Sequence, residues 1–315
     1  MLFNTKLSGY SVRFSPYFPD KIAVGTAQYF GIVGNGRQSI LQITPDGLQE
    51  IWGCDTEHGV FDCCWSETRD NVLVSACTDG GLKIWDTHAP PEANPMKIFT
   101  EHNKEVSSVN WNLGRQDVFL TSSWDNTVKL WTMERVTSIS TFMGHVYCVY
   151  MASWTAGSAN VFASVSGDHT AKVWDTRQPA PSVSFKAHDA EILCIDWCKY
   201  HDCVLATGGA DKIIRTWDVR ALDKPITELR GHRYAVRKVL FSPHAENLVL
   251  SCSYDMTVRL WDVSSGVEDS LLKVWDHHTE FAVGIDFSDR NQGQIASTGW
   301  DELVYVWDQE GDPRG

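Results

Sequence analysis

Six tryptophans punctuate the chain at a nearly constant interval: Trp85, Trp131, Trp174, Trp217, Trp261 and Trp307 are separated by 46, 43, 43, 44 and 46 residues. Aspartate follows each of them except Trp131, which precedes Thr132. Three further positions keep the same register. Six residues before each tryptophan stands Asp79, Asp125, Asp168, Asp211, Asp255 or Asp301, and four residues before each aspartate stands a hydroxyl: Ser75, Thr121, Ser164, Thr207, Ser251 or Ser297. A histidine lies 29 residues before each of the last five tryptophans, at His102, His145, His188, His232 and His278. A chain with this recurrence is built from one repeated unit, and a unit of this length is one four-stranded blade of a β-propeller.

The pattern resembles the WD-repeat β-propeller family over nearly the whole chain, and an all-β fold follows. The resemblance implies that the histidine, hydroxyl, aspartate and tryptophan of a blade form a buried hydrogen-bonded chain tying a turn to the blade body. The five complete sets are His102, Thr121, Asp125 and Trp131; His145, Ser164, Asp168 and Trp174; His188, Thr207, Asp211 and Trp217; His232, Ser251, Asp255 and Trp261; and His278, Ser297, Asp301 and Trp307. Physics agrees, because buried polar groups persist only with partners. A scan for Ser, His and Asp would report a catalytic triad several times over. Catalysis needs one activated nucleophile in a cleft, whereas a repeated set is architecture, so the chain reads as non-enzymatic.

Six marked repeats leave the start of the chain to supply a seventh blade. Residues 10–43 read as that blade in degenerate form, with apolar segments at 11–14, 22–25 and 40–43 and with Ile43 at the tryptophan position. The eight residues after Trp307 are too few and too polar for an outermost strand. Leu2 to Leu7 is expected to supply it, closing residues 1–315 into a single seven-bladed domain with no long free edge. Two irregularities stand out. Thr56 occupies the histidine position of the second blade, whose hydrogen-bonded chain is therefore incomplete or rebuilt. The loop from Thr26 to Gly36 is longer than its counterparts, and loops that outgrow the scaffold are where function tends to sit.

Composition then narrows the function. Lys and Arg number 27 against 40 Asp and Glu, a formal charge of −13, which argues against sequence-independent binding to nucleic acid or anionic lipid. No run approaches the ~18 apolar residues of a membrane span, and residues 1–7 lack the pattern of a secretory leader, so a cytosolic protein is expected. The nine cysteines include no Cys-x-x-Cys pair and read as buried reduced thiols. No cofactor motif or zinc spacing is present. Asp276, His277, His278 and Glu280 have the residue types of a metal or acid–base site, but His278 already belongs to the blade framework.

In WD-repeat propellers the loop after each histidine and the turn bearing each aspartate share one face around the central channel. Here those segments carry Phe61, Asp62, Glu105, Tyr147, Glu191, Tyr234, Glu280 and Phe281, with Trp124, Tyr254 and Trp300 immediately before aspartates. Rings bury area and attract cations while carboxylates fix charge, so this rim suits an amphipathic helix bearing arginine or lysine. Residues 9–16, 26–31, 187–200, 251–255 and 277–281 closely resemble the family of peroxisomal receptors for type-two targeting signals, a likeness running from about Gly9 to Trp307. It implies a soluble receptor that binds newly made enzymes such as thiolase in the cytosol. An import co-receptor, the long form of the type-one signal receptor or a fungal-type co-receptor, would help deliver them to the peroxisomal docking complex. The receptor would cycle between cytosol and peroxisome without inserting into the membrane. The implied cargo signal opens with arginine and a branched apolar residue and closes, five residues on, with histidine or glutamine and an apolar residue. Glu105 is implied to face cargo. Asp62 and Glu191 extend that role as partners of the signal's arginine, and Trp124, Tyr147, Tyr254, Phe281 and Trp300 form the apolar wall.

A second interaction class is also written in the chain. Asp168, Lys172, Trp174, Asp175 and Arg177, and again Asp211, Arg215, Trp217, Asp218 and Arg220, fit the Asp-x-x-x-Lys/Arg-x-Trp-Asp-x-Arg pattern of propellers that serve as substrate receptors of cullin ubiquitin ligases. The aspartates and tryptophans belong to the framework anyway, so only the basic residues add information, and such residues often pair with neighbouring acids.

Overall fold

A computed structural model describes residues 1–264 and 270–314, whose strands form seven antiparallel four-stranded sheets arranged as a propeller. Blades 1 to 7 begin with the inner strands Ser8–Phe14, Val60–Trp65, Val106–Trp111, Val149–Trp154, Ile192–Trp197, Val236–Phe241 and Ala282–Phe287. The second strands, such as Val118–Ser123 in blade 3, are buried from their second residue on, because apolar and hydroxyl side chains meet both neighbouring blades. The outermost strands, such as Ser140–Met143, are only partly covered and alternate in character. Leu2–Asn4 is the outermost strand of blade 7, pairing Leu2 with Tyr305 and Phe3 with Val304, and the ring is closed by that ladder.

Blade 1 differs from its sequence reading in extent and in register. Its strands run from Ser8 to Thr56, because Gly47–Thr56 adds the outer strand. Leu41, not Ile43, occupies the tryptophan position: it pairs with Ile22 as Trp131 pairs with Phe119, and it is fully buried. Both residues lie on the same face of an alternating strand, so alternation alone does not choose between them.

Within blade 3 the polar chain is continuous. The Trp131 indole donates to Thr121 Oγ1 at 2.8 Å, Thr121 lies 2.8 Å from His102 Nε2, and His102 Nδ1 lies 2.8 Å from Asp125. Its direction is fixed by the ends, since an indole can only donate and a carboxylate can only accept. The same arrangement recurs in blades 4, 5 and 6. Each aspartate also caps its turn. Asp125 accepts the amide of Thr127 at 3.0 Å, and the residue between them, Asn126, has φ 72°. His169, Lys212, Met256 and Glu302 repeat that left-handed conformation after their aspartates.

Two blades depart from the pattern in opposite ways. Blade 2, which lacks the histidine, recruits Gln38 from blade 1. Trp85 donates to Ser75 at 2.7 Å, Ser75 donates to Gln38 Oε1 at 2.8 Å, and the Gln38 amide ends the chain on the Val24 carbonyl. In blade 7 an extra histidine displaces the tryptophan: His277 and His278 both reach Ser297, at 2.9 and 2.8 Å, and the buried Trp307 Nε1 has no partner among the described residues. The four residues 276, 277, 278 and 280 are thus divided, with both imidazoles drawn to one serine.

Neighbouring blades are joined by side chains of the inner strands. Asp62 accepts the Val109 amide, Asn110 the Trp154 amide, Asp196 the Phe241 amide and Asp286 the Phe14 amide. All nine cysteines are free thiols; Cys148 and Cys203 are partly exposed rather than buried.

Two measurements follow from this framework. Trp131→Phe removes an indole hydrogen bond whereas Trp307→Phe removes none, so urea unfolding should show the first variant less stable than the second by about 1 kcal/mol. Equal losses would mean that the indole bond contributes nothing. The second concerns acid. Burial raises the aspartates of the polar chains, but hydrogen bonds from histidine and threonine outweigh it, holding Asp125, Asp168 and Asp255 well below the usual range; histidine and Arg215 hold Asp211 at about 2. Carboxylates that ionise more readily when folded stabilise above the unfolded value near 4 and lose that contribution below it. The thermal midpoint should therefore fall steeply between about pH 4 and pH 2.

Candidate functional site

Every inner strand carries a bulge near its start, where the pairing with the second strand skips one residue. The skipped residues are Tyr10, Phe61, Ser107, Tyr150, Leu193, Arg237 and Val283; holding the same position in every inner strand, they fall at one end of the channel, where Ser107 and Val283 are buried. A bulge re-aims its side chain, which is how a repetitive ladder produces a local surface. The turns before the framework aspartates approach the same mouth: the amides of Trp124, Tyr254 and Trp300 donate to the carbonyls of Glu105, Ala235 and Phe281 at 3.0, 3.1 and 2.9 Å.

Together these segments make an arc of rings. Tyr254 stacks on Phe281 at 4.7 Å, Phe281 meets Trp300 at 4.9 Å, and Trp300 meets Phe30 at 4.9 Å and Tyr10 at 6.0 Å. Tyr10 stacks on Phe61 at 4.8 Å, Phe61 meets Trp124 at 5.9 Å, and Trp124 meets Tyr150 edge-on at 6.4 Å. The structure thus brings Trp124, Tyr254, Phe281 and Trp300 into one cluster. Trp124, whose indole nitrogen has no partner, is partly buried, so the floor keeps a donor unused.

Three residues of the sequence-derived rim are placed differently. Asp62 is buried, accepts from Ser11 at 2.7 Å and from the Val109 amide, and lies 3.8 Å from Arg13. It is a staple in the channel wall, and its carboxylate is not offered to the mouth. Burial and the bulge explain the miss: Phe61, one residue earlier, takes the mouth position. Tyr147 lies outside the aromatic cluster, half exposed over Gly167. Glu191 is partly buried and accepts the Tyr150 hydroxyl at 2.9 Å. The Glu105 carboxylate has no hydrogen bond or ion pair among the described residues; Lys104 and, with opposite sign, Glu191 and Glu105 all act electrostatically on Cys148 at the start of blade 4.

Sequence reasoning overlooked Tyr10, Phe30, Tyr150 and Arg237 as mouth residues. Only the bulge, which no pattern in a single strand announces, turns three of them inward. Phe30 belongs to the long blade 1 loop, where Tyr29, Phe30 and Gly31 all have positive φ, at 46°, 57° and 72°. The Tyr10 hydroxyl donates to the Phe30 carbonyl, and the loop holds Ile32 and Val33 out in solvent, 81% and 64% exposed.

The opposite mouth holds a cavity of about 410 Å³ lined by Arg13, Glu67, Asp196, Lys199, Asp286 and Asp289 among others. Burial pushes Glu67 up to about 7 and Asp286 up to about 6. Of the basic residues of the ubiquitin-ligase pattern, Arg177 pairs with Asp175 and Arg220 with Asp218, both largely exposed, while Lys172 donates to Ser184 and Arg215 reaches Asp211 and Glu228.

Residues 51–86, 93–132 and 269–308 match the family described as WD domain, G-beta repeat, and residues 135–261 match the one described as EIPR1 beta-propeller. The chain is similar to Peroxisome biogenesis protein 7 of Arabidopsis thaliana, 61% identical over 99% of each chain. It is also similar to the Peroxisomal targeting signal 2 receptor of Dictyostelium discoideum, 56% identical over 93% of this chain and 92% of that one. With the human protein of the same name the identity is 52%, over 88% of this chain and 85% of that one.

The loop geometry carries its own test. A Cβ at Gly31 would lie 2.4 Å from the Phe61 ring on a backbone that disfavours side chains. Gly31→Ala should speed proteolytic cleavage within residues 28–35 while shifting the global thermal midpoint by only about 2 °C or less. Unchanged cleavage would show that the loop does not depend on this contact.

Proposed function

The chain belongs to the family of WD-repeat peroxisomal targeting signal 2 receptors, and from that premise we propose that its aromatic mouth binds the type-two signal of newly made enzymes and delivers them for peroxisomal import. The observation that carries the site is the arc of rings with Glu105 beside it, a carboxylate with no hydrogen-bond or ion-pair partner among the described residues. The apolar side of an amphipathic helix lies on the rings, with the large buried areas that aromatic anchors supply. The leading arginine meets Glu105 and Glu191, where an ion pair partly shielded from water gains more than it would on open surface.

One helix against one face leaves its outer side wet, so a co-receptor covers it, and affinity rises when it does. The receptor collects cargo in the cytosol and cycles to the peroxisome; among the described residues no helix is long and apolar enough to cross a membrane. The ubiquitin-ligase reading gains no support, since its distinguishing arginines are engaged by aspartates two residues away.

Fluorescence anisotropy with a labelled arginine-led signal peptide tests this directly. Saturable binding, tighter with co-receptor, should weaken about tenfold or more in Glu105→Lys, as expected when an attraction between charges becomes a repulsion. Glu191→Gln should weaken it less, because that carboxylate already accepts from Tyr150. Folded wild-type protein that fails to bind even with co-receptor would remove the proposal.

A further inference from the structure

Arg237 is the one cationic residue in the ring of bulge positions, and apart from a distant attraction to Asp62 its charge is left without a close partner. Its guanidinium makes no hydrogen bond with a described residue and has no described carboxylate within 4.0 Å. It is partly buried, and its charge acts on the hydroxyls of Tyr10 and Tyr254, two rings of the arc. By contrast Arg13, at the far end of the channel, has two carboxylates, Asp62 at 3.8 Å and Asp286 at 3.6 Å. Lys238, the next residue, is buried and drawn electrostatically to the same pair. Two carboxylates therefore act on each of Arg13 and Lys238, whereas Asp62 alone acts on Arg237, and from beyond 4.0 Å.

A guanidinium covered by a ligand must find acceptors, or the covering loses the water that solvates it in the free channel. The floor around Arg237 is aromatic, and neither tyrosine hydroxyl near it makes a hydrogen bond to it. Of the acids of the mouth, Glu105 stands at the start of blade 3, and Glu191, at the start of blade 5, is turned toward blade 4 by the Tyr150 hydroxyl; Arg237 rises from blade 6, three blades around the ring from Glu105.

We infer that Arg237 fixes the direction of the bound signal helix by receiving the carbonyl groups of its C-terminal end, while the leading arginine goes to Glu105 and Glu191. This inference rests on the proposed function. An α-helix ends in carbonyls without intrahelical partners and carries the negative pole of its dipole there, which is the complement of an unpaired guanidinium. A signal of about nine residues spans about 13 Å as a helix, so both ends fall within one channel mouth rather than beyond it. With the helix reversed, its arginine would approach Arg237 and its carbonyl end the two glutamates, which sets like charges together at both poles. Arg237 is on this reading a specificity-determining residue: it selects orientation among amphipathic helices that the rings alone would accept either way round.

Two synthetic peptides of the arginine-led signal, each ending at the last helical residue, isolate the effect. One ends in a free carboxylate and the other in a carboxamide. Wild-type receptor with co-receptor should bind the carboxylate about fivefold to tenfold more tightly, the gain expected of a charge-assisted hydrogen bond. Arg237→Gln should bind both peptides equally. Equal binding by wild type, or a preference that survives in Arg237→Gln, overturns the inference while leaving the receptor reading intact; absence of binding to either peptide by wild type removes both. Should Arg237→Gln fail to fold, a photo-crosslinker on the last residue of the peptide decides with wild type alone. Crosslinks within residues 233–262 support the orientation, and crosslinks within residues 105–150 reverse it.

Discussion

The donor chain from tryptophan through hydroxyl and histidine to aspartate is the interaction on which the molecule depends. Each link is forced by the one before it, because an indole can only donate and a carboxylate can only accept. In blades 3 to 6 it binds the core tryptophan of the third strand to the aspartate of the turn just ahead of that strand. That turn then holds the residue before the aspartate against the start of the inner strand, as the Trp124 amide does with the Glu105 carbonyl. The framework therefore does more than hold blades flat. It delivers Trp124 and Tyr254 to the channel mouth, so a stability motif and a binding surface share one set of bonds.

The motif is tolerant in its membership but strict in its chemistry. Blade 2 substitutes an amide for the imidazole, and Gln38 can do so because its oxygen accepts from Ser75 while its nitrogen still donates onward to a backbone carbonyl. Blade 7 substitutes an imidazole for the indole. His277 is then held down to about 3, by burial first and by the adjacent His278 second, which keeps it neutral in the core. The orphaned Trp307 nitrogen shows the cost of that exchange. What persists across all these blades is a hydroxyl placed between a donor and an acceptor.

Much of this was legible in the sequence for a physical reason. Residues that serve the repeat are constrained identically in every blade, so Asp125, His145 or Trp261 announce themselves by period. Mouth residues are constrained by the ligand and not by the repeat, and their types differ from blade to blade. Trp124, Tyr254 and Trp300 could still be placed because they abut a framework aspartate. Asp62 was misplaced by one residue, since the bulge before it sends Phe61 to the mouth and turns the carboxylate into the wall. Leu41 was confused with Ile43 because a strand repeats every two residues and either one fits an apolar face. Arg237 carries no periodic signal at all; its meaning lies in the missing partner, which only a three-dimensional arrangement can display.

The closure of the ring joins the ends of the chain, with the Met1 amino group donating to the Val306 carbonyl at 2.7 Å and Leu2 paired with Tyr305. The aromatic floor straddles this same seam, for Trp300 of blade 7 rests on Phe30 and Tyr10 of blade 1. A chain emerging from the ribosome could stack its early blades one by one, but those ring contacts have no counterpart until the last repeat has been made. Contacts of such large sequence separation form late. Competence to hold a ligand is thereby tied to synthesis of the seventh blade, and a product terminated before it would present an open edge rather than a finished groove.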